Sequence, residues 1–252
     1  MREKIVLSQR LKAAAGLVTR GNRVCDVGCD HGFVPIYLIL EGISPKALAL
    51  DVREGPLEQA REHIKAYRLE AYIETRLSDG LYAYRCGEAD SFICAGMGGR
   101  LMQRILEADK DKTESFQELI LQPQSEIEQF RHFLRGQGYS LVEENMIEED
   151  GKFYPMMKAV KGKKKSLPYG ESKEVLWYQR MEDRYGPHLL WEKHPVLCRY
   201  IQREAHICEE ILKQLETSGL EDAGRLERYQ EKEIQRQDCL RVLQDIYGYE
   251  KT

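Results

Sequence analysis

Four acids stand where a chain of strands and helices could turn them toward a ligand: Asp26, Asp30, Asp51 and Asp79. The first two belong to Asp26-Val-Gly-Cys-Asp-His-Gly32, which follows an apolar run and precedes a helix signal. A dinucleotide fingerprint in this place reads Gly-x-Gly-x-x-Gly and brings backbone N–H groups onto a pyrophosphate. Here Asp26 holds the first glycine position and Asp30 adds a second carboxylate. Two carboxylates would repel a diphosphate. They suit a ligand that carries an ammonium group and a sulfonium, S-adenosylmethionine, with Gly28 and Gly32 allowing close approach of the backbone. Taken alone, the same residues also read as a tight strand–helix turn with capping acids.

Spacing adds to the first reading. Asp51 ends the second strand-like run, 19 residues beyond Gly32, where an acid can accept both hydroxyls of a ribose. Asp79 ends the third, in Ser78-Asp-Gly80, where it can accept from an adenine amine while Gly80 lets the base lie near the backbone. Either acid alone could be an ordinary turn residue; acids at three successive strand ends are harder to explain that way, and open α/β sheets bind ligands at those carboxyl ends. Gly96-Met97-Gly98-Gly99 follows the fourth strand and is expected beside the transferred group: Gly96 and Met97 toward the cofactor, Gly98 and Gly99 toward the acceptor. It is also a glycine turn before a helix. Methylases of exocyclic amines place an Asn/Asp-Pro-Pro-aromatic motif there, and this chain has none. Gln122, Pro123 and Gln124 follow the fifth strand and offer amides for a base edge, or simply begin a helix. His31 is a second candidate for acid–base work beside Asp30. His63 and His132 fall on predicted helices without partners, and Cys25 and Cys29 read as small apolar fillers.

These residues need a frame. Strand signals at 23–27, 46–52, 73–78, 91–95 and 118–122 alternate with helix signals at 35–40, 56–67, 100–108 and 125–135, after a first helix capped by Ser8. That order implies an α/β fold with a parallel sheet and helices on both faces. Two final strands, about 139–147 and 153–160, flank Asp150-Gly151, a hairpin signal that forces an antiparallel pair. Pro155 is expected at a strand start or a bulge, and Ser125-Glu-Ile-Glu128 is expected to form a capping box. Beyond residue 162 the chain turns to Glu, Gln, Arg, Leu and Ile at helical spacing, so the expected division is 1–162 and 163–252. In the second part Leu197, Ile201, Cys208, Ile211 and Leu215, then Leu226, Tyr229, Leu240, Leu243 and Tyr247, suggest an antiparallel, coiled-coil-like helix pair, with Glu204 breaking the seam. A plain helical cap on the sheet is the alternative.

Composition narrows the class. The chain has 252 residues and a formal net charge of −4, so it is not a uniformly basic nucleic-acid coat, although a basic patch is allowed. No apolar run approaches the roughly 18 residues of a membrane span. The start lacks the apolar region of a secretory signal. The seven cysteines form no Cys-x-x-Cys pair, which argues against a disulfide framework or a metal site and for the cytoplasm.

Leu7-Ser-Gln-Arg-Leu11, Asp26-Val-Gly-Cys-Asp-His-Gly-Phe-Val-Pro35, Glu54-Gly-Pro56, Leu77-Ser-Asp-Gly-Leu81, Ala95-Gly-Met-Gly-Gly99 and Leu119-Ile-Leu-Gln-Pro123 occur in this order. Together they resemble the bacterial tRNA adenine-N1 methyltransferase family that modifies position 22. The resemblance covers residues 7–160, and the helical tail in character. It implies a Rossmann-like, seven-stranded class I methyltransferase sheet with an antiparallel last strand and a C-terminal all-helical domain. It also implies methyl transfer from S-adenosylmethionine to N1 of an adenine in tRNA. Gln124 departs from the Asn of the family's Gln-Pro-Asn motif, which lengthens the amide's reach by one methylene. Arg10, Lys12, Arg20, Arg100, Arg104, Lys163–Lys165 and the tail form the candidate RNA surface; each of these charges could equally be plain solvated surface. The expected partner is tRNA, with no membrane and no metal, and the expected assembly is a monomer or weak dimer. The rival readings are a methyltransferase with a small-molecule or protein acceptor, a non-catalytic RNA-binding or coiled-coil protein on the same fold, and, more remotely, an NAD-dependent oxidoreductase.

Overall fold

A computed structural model describes residues 5–162, 172–219 and 222–249. The elements alternate from the start: α1 (Gln9–Gly16), β1 (Val24–Val27), α2 (Phe33–Leu40), β2 (Ala47–Asp51), α3 (Glu54–Ala66), β3 (Ile73–Leu77) and β4 (Ser91–Met97). There follow α4 (Gly99–Ala108), α5 (Lys110–Glu114), β5 (Glu118–Pro123), α6 (Ile127–Gly136), β6 (Tyr139–Glu149) and β7 (Lys152–Lys161). The helices α7 (Lys173–Tyr185), α8 (Pro187–Trp191), α9 (Pro195–Thr217) and α10 (Ala223–Asp245) complete the chain. Among the described residues no helix is long and apolar enough to cross a membrane.

The strands form one seven-stranded sheet in the order β3-β2-β1-β4-β5-β7-β6. The first five are parallel, and β7 lies antiparallel between β5 and β6. Side chains alternate between the faces, so each strand feeds two cores. Cys25, Val27, Phe92, Cys94, Leu119 and Leu121 pack with Met102, Ile105 and Phe130 of α4 and α6. Their neighbours Val24, Ile93 and Ile120 pack on the other face with Ala14 and Ala15 of α1 and Leu38 of α2. The alternation places the switch in strand order between β1 and β4, so the carboxyl ends of these strands open a crevice.

The hairpin turn has the backbone its residues require: Asp150 and Gly151 both have positive φ, 52° and 70°. Pro155 is neither at the start of β7 nor in a bulge. It pairs with Met146 inside the strand, two residues past the last β5 pairing at Met157, where the β5 ladder no longer needs a donor. The irregularity falls instead in β6, between Leu141 and Glu143. The expected capping box does not form either. The cap of α6 is Glu126, in the left-handed region (φ 54°), with no side-chain cap bond. Ser125 is engaged elsewhere, its carbonyl accepting from the Gly99 N–H at 3.0 Å.

The first compact unit runs through His188, not to residue 162 as expected, and the second begins at Leu189. The cause is a buried ion pair. Arg131 Nε donates to Glu144 Oε1 at 3.0 Å, with both side chains almost fully buried. Arg131 Nη1 donates to the carbonyls of Asp183 and Arg184 at the end of α7, and the His188 N–H donates to Glu144 Oε2 at 3.0 Å. Gly186 leaves room for the carboxylate, since a Cβ there would lie 2.5 Å from Glu144 Oε1. The helical spacing expected beyond residue 162 gives no sign of this polar lock, which ties α7 to the sheet unit.

In the second unit α9 and α10 are antiparallel, because Tyr229 bonds Glu216, Gln235 bonds Glu204 and Tyr247 bonds the His194 carbonyl. The buried seam of α9 is Leu197, Ile201, Ala205, Cys208, Leu212 and Leu215, with Leu212 in the place expected for Ile211. On α10 only the later part is buried, at Asp238, Cys239, Val242 and Leu243, while Leu226 is exposed.

Removing one partner of a buried pair leaves a bare charge in the interior. Glu144→Gln is expected to lower stability by about 3–5 kcal/mol, and Arg131→Met combined with Glu144→Leu is expected to recover most of that loss. Urea unfolding of the three proteins checks both expectations.

Candidate active site

The chain leaves β1 at Val27 and turns sharply at Gly28, whose φ is 77°. The turn is fixed by N–H bonds of Gly28 and Cys29 to the Leu50 carbonyl, at 2.8 and 3.0 Å. Asp30 follows with φ 50°, a left-handed conformation that Asp tolerates better than most residues. Gly32 then caps α2.

Asp51 holds this loop from the end of β2. Its Oδ2 accepts from the Asp30 N–H at 3.1 Å and its Oδ1 from the Arg53 N–H at 2.9 Å. Asp26 and Asp51 are both buried, on adjacent strands. Burial raises the Asp26 carboxyl to about 7, with further contributions from the negative charges of Asp51 and then Asp30. A buried acid that is reluctant to ionise is a site in want of a cation. The carboxylate of Asp30 is exposed and stands 3.4 Å from His31 Nε2 and 3.8 Å from Arg53 Nη2. Arg53 also reaches Asp51, its Nε 3.7 Å from Oδ1. Asp79 is exposed at the end of β3, next to Ser78, whose hydroxyl donates to the Gly80 carbonyl at 2.9 Å.

The expected glycines divide by what they touch. A Cβ on Gly28 would fall 2.0 Å from Met97 Cε, so the Met97 side chain lies against this turn from the end of β4. Gly32 meets Ala60 of α3, and Gly80 meets Ile105 of α4. A Cβ on Gly98 or Gly99 would come within 3.0 Å of Ser125, so these two glycines serve the close approach of α4 to the segment before α6. Gly96 differs. The β4–β5 register shifts between Ala95 and Met97, making Gly96 the extra residue of the ladder, and a Cβ on it would face Arg10 Nη1 at 3.4 Å and Gln124 Nε2 at 3.8 Å. Gln122 is fully buried beside it, accepting from Arg10 Nη1 at 2.7 Å, and Pro123 ends β5. Arg10 is thus drawn in toward Gly96, whereas Lys12 is exposed on α1. Of the other basic candidates, Arg20, Arg100 and Arg104 lie on the surface, and Lys163–Lys165 lie outside the described residues.

Residue patterns missed several neighbours. Arg53 lies two positions beyond the strand-end acid, a spacing with no signature of its own. Tyr154 of β7 lies beneath Arg10, with its ring centroid 5.4 Å from the guanidinium carbon; its alternation with buried Met156 was the available signal. The two helical histidines do have partners: His63 stacks on Phe33 and bonds the His31 carbonyl, and His132 meets Asp183. Burial first, and Asp26 next, hold the thiols of Cys25, Cys29 and Cys94 protonated, which keeps them from acting as nucleophiles. Among the described residues no group of His, Cys, Asp and Glu could hold a metal ion.

The donor set therefore fits a cationic, ribose-bearing ligand: buried acids at two strand ends, an exposed acid at a third, and a glycine turn between them. Residues 7–157 match the model of the Methyltransferase domain family. The tRNA (adenine(22)-N(1))-methyltransferase of Bacillus subtilis is 33% identical over 212 residues, covering 84% of this chain and 87% of that protein. The solved B. subtilis m1A22 tRNA methyltransferase TrmK superposes with a TM-score of 0.80 at 30% identity, over 95% of this chain and all of that one. A Streptococcus pneumoniae protein solved in complex with S-adenosyl-L-methionine gives 0.77 at 32% identity, over 94% of this chain and 100% of that one. The acid-lined crevice, the sheet order and these likenesses agree, and the chain belongs to the tRNA (adenine(22)-N1)-methyltransferase family of class I S-adenosylmethionine-dependent methyltransferases.

Proposed function

We infer that the protein methylates N1 of adenine 22 in tRNA, using S-adenosylmethionine. The observation that carries this reading is the pair of buried acids, Asp26 and Asp51, set beside a loop that presents Asp30 outward. S-adenosylmethionine, when bound, supplies a methyl group made electrophilic by its sulfonium. Asp51 is suited to the ribose hydroxyls, since each of its oxygens accepts one backbone N–H and keeps a further lone pair. Asp26 is suited to a cationic group and Asp79 to an amine.

Adenine N1 already carries a lone pair, so no strong base has to prepare it. The tasks left to the protein are positioning, exclusion of water and compensation of charge. Methylation moves positive charge onto the adenine ring. Asp30, exposed at the mouth of the crevice, can meet that charge and accept a hydrogen bond from the adenine amine. His31, 3.4 Å from the Asp30 carboxylate, can orient it. N1 lies on the pairing edge of the base, so the adenine has to leave its stack or pair. Recognition of a whole tRNA needs more surface than this crevice; we assign it to the exposed Lys12, Arg20, Arg100 and Arg104 and, separately, to local patches of the helical second unit. A tRNA acceptor implies a cytoplasmic setting. Ultracentrifugation is expected to show a monomer or weak dimer.

The direct test is incubation with labelled S-adenosylmethionine and unmodified tRNA, followed by nucleoside analysis; 1-methyladenosine at position 22 is expected, and its absence would sink the reading. Two substitutions separate the carboxylate roles. Asp51→Ala is expected to weaken cofactor binding by about 1–3 kcal/mol. Asp30→Ala is expected to lower kcat with little change in cofactor affinity; a proportional fall in both would move Asp30 to the cofactor site.

Asp26 gives a pH signature. Its carboxyl is raised to about 7 in the folded protein, so the stability it contributes is present at low pH and is lost as pH rises through about 7. A cationic ligand needs the ionised form. Cofactor affinity is therefore expected to rise between about pH 6 and 8 and to level off above, with proton release on binding at pH 6. Calorimetry in two buffers of different ionisation enthalpy measures the release, and Asp26→Asn is expected to abolish it.

Residues 161–252 hold 17 basic and 17 acidic side chains, so any RNA contact there must come from local patches. A chain ending after His188 keeps the Arg131–Glu144 lock and is expected to bind the cofactor normally but to lose most tRNA affinity in a salt-dependent binding assay. Full tRNA affinity in the folded truncation would assign the helices another task.

A further inference from the structure

An arginine and a tyrosine stand locked together at the end of the crevice occupied by Gly96. Gln122 fixes the arginine. Its Nε2 donates to the Pro123 carbonyl at 3.2 Å, which turns its Oε1 toward Arg10 Nη1 at 2.7 Å. The guanidinium is thereby anchored at one edge by a fully buried amide and covered on one side by the Tyr154 ring, 5.4 Å away. Gly96, the extra residue of β4, keeps bare backbone in front of Nη1, and Gln124 Nε2 converges on the same point. An outer phosphate contact needs none of this: a flexible Lys or Arg on the surface serves as a point charge. Packing of α1 does not need it either, since Ala14 and Ala15 are buried against the sheet and the Gln9 N–H is bonded to Glu149 Oε1 at 2.8 Å. What the arrangement provides is a rigid planar surface beside the place where the acceptor must arrive. Bases removed from a helix are received on aromatic rings and guanidinium planes.

We propose that Arg10 and Tyr154 form the stacking platform that receives the flipped adenine, with the Gln124 amide at its edge. This rests on the tRNA-adenine reading. It makes Arg10 a residue of the acceptor pocket, not part of an outer basic patch. Within the pocket, Tyr154 and Arg10 hold the base in plane while Asp30 compensates its charge.

The test is a binding cycle with the full-length protein and two tRNAs, one intact and one abasic at position 22. The wild type is expected to bind the intact tRNA about tenfold more tightly, within the range that stacking of one base supplies. Tyr154→Leu is expected to bind both alike, Tyr154→Phe to restore the preference, and Arg10→Lys, which keeps the charge but loses the plane, to abolish it. Methylation of intact tRNA by Tyr154→Leu should fall about 10- to 100-fold in kcat/KM with unchanged cofactor affinity. If Tyr154→Leu does not fold, Arg10→Lys carries the same cycle. Preference for the intact tRNA that survives both substitutions, or a wild type without preference, overturns the platform. A wild type that forms no 1-methyladenosine in tRNA overturns instead the function on which the proposal rests.

Discussion

The carboxylate of Asp51 is the interaction on which the crevice depends. It is buried at the end of β2, and it accepts backbone N–H bonds from Asp30 on one oxygen and Arg53 on the other. The bond from Asp30 adds to the Gly28 and Cys29 N–H bonds with the Leu50 carbonyl in holding the turn that follows β1, and that turn carries Asp30. A buried charge is costly unless its lone pairs are satisfied. Here one of the bonds that satisfy it joins the end of β2 directly to the loop that carries Asp30, so a change at Asp51 reaches Asp30 without a long pathway.

Burial makes Asp26 reluctant to ionise, and the charges of Asp51 and then Asp30 add to it. Three carboxylates share a small region, and Arg53 offers only distant, solvent-exposed compensation at 3.7 and 3.8 Å. The arrangement is poor for an isolated protein and good for one that holds a cation. Strain of this kind at strand ends is a property of sites more than of scaffolds.

The positions of the acids at the strand ends and the Asp150-Gly151 hairpin were legible because each has a local cause: the strand-like runs stop at or near these acids, and a type I′ turn demands positive φ at both central residues. Glycine roles were only half legible. Sequence shows that a side chain is absent at Gly98 and Gly99, but only tertiary contact shows that Ser125 lies where that side chain would stand. The unit boundary was misplaced because a lysine-rich stretch looks like a linker, while Arg131 and Glu144, 13 residues apart, give no hint that they meet in the interior and hold α7. Arg10 was read as part of an RNA-binding surface, and its contact with Gln122, 112 residues away, was not legible because nothing in its neighbours along the chain points there. On α10 the helical period extends back to Leu226, yet burial begins only at Asp238, because periodicity marks a face and not what covers it.

The irregularity in β6 between Leu141 and Glu143 bears on what the protein does at high concentration. β6 is one margin of the sheet, and a long flat margin would offer its free backbone groups to another chain. The bulge interrupts that row, exposed Glu143 and Glu148 add charge along it, and the Leu141 carbonyl is taken by His188 Nε2 at 3.0 Å. The opposite margin, β3, is only five residues long and carries Glu74 and Arg76. A sheet bounded in this way offers little free backbone for a second chain to pair with, so its margins resist growth into fibrils.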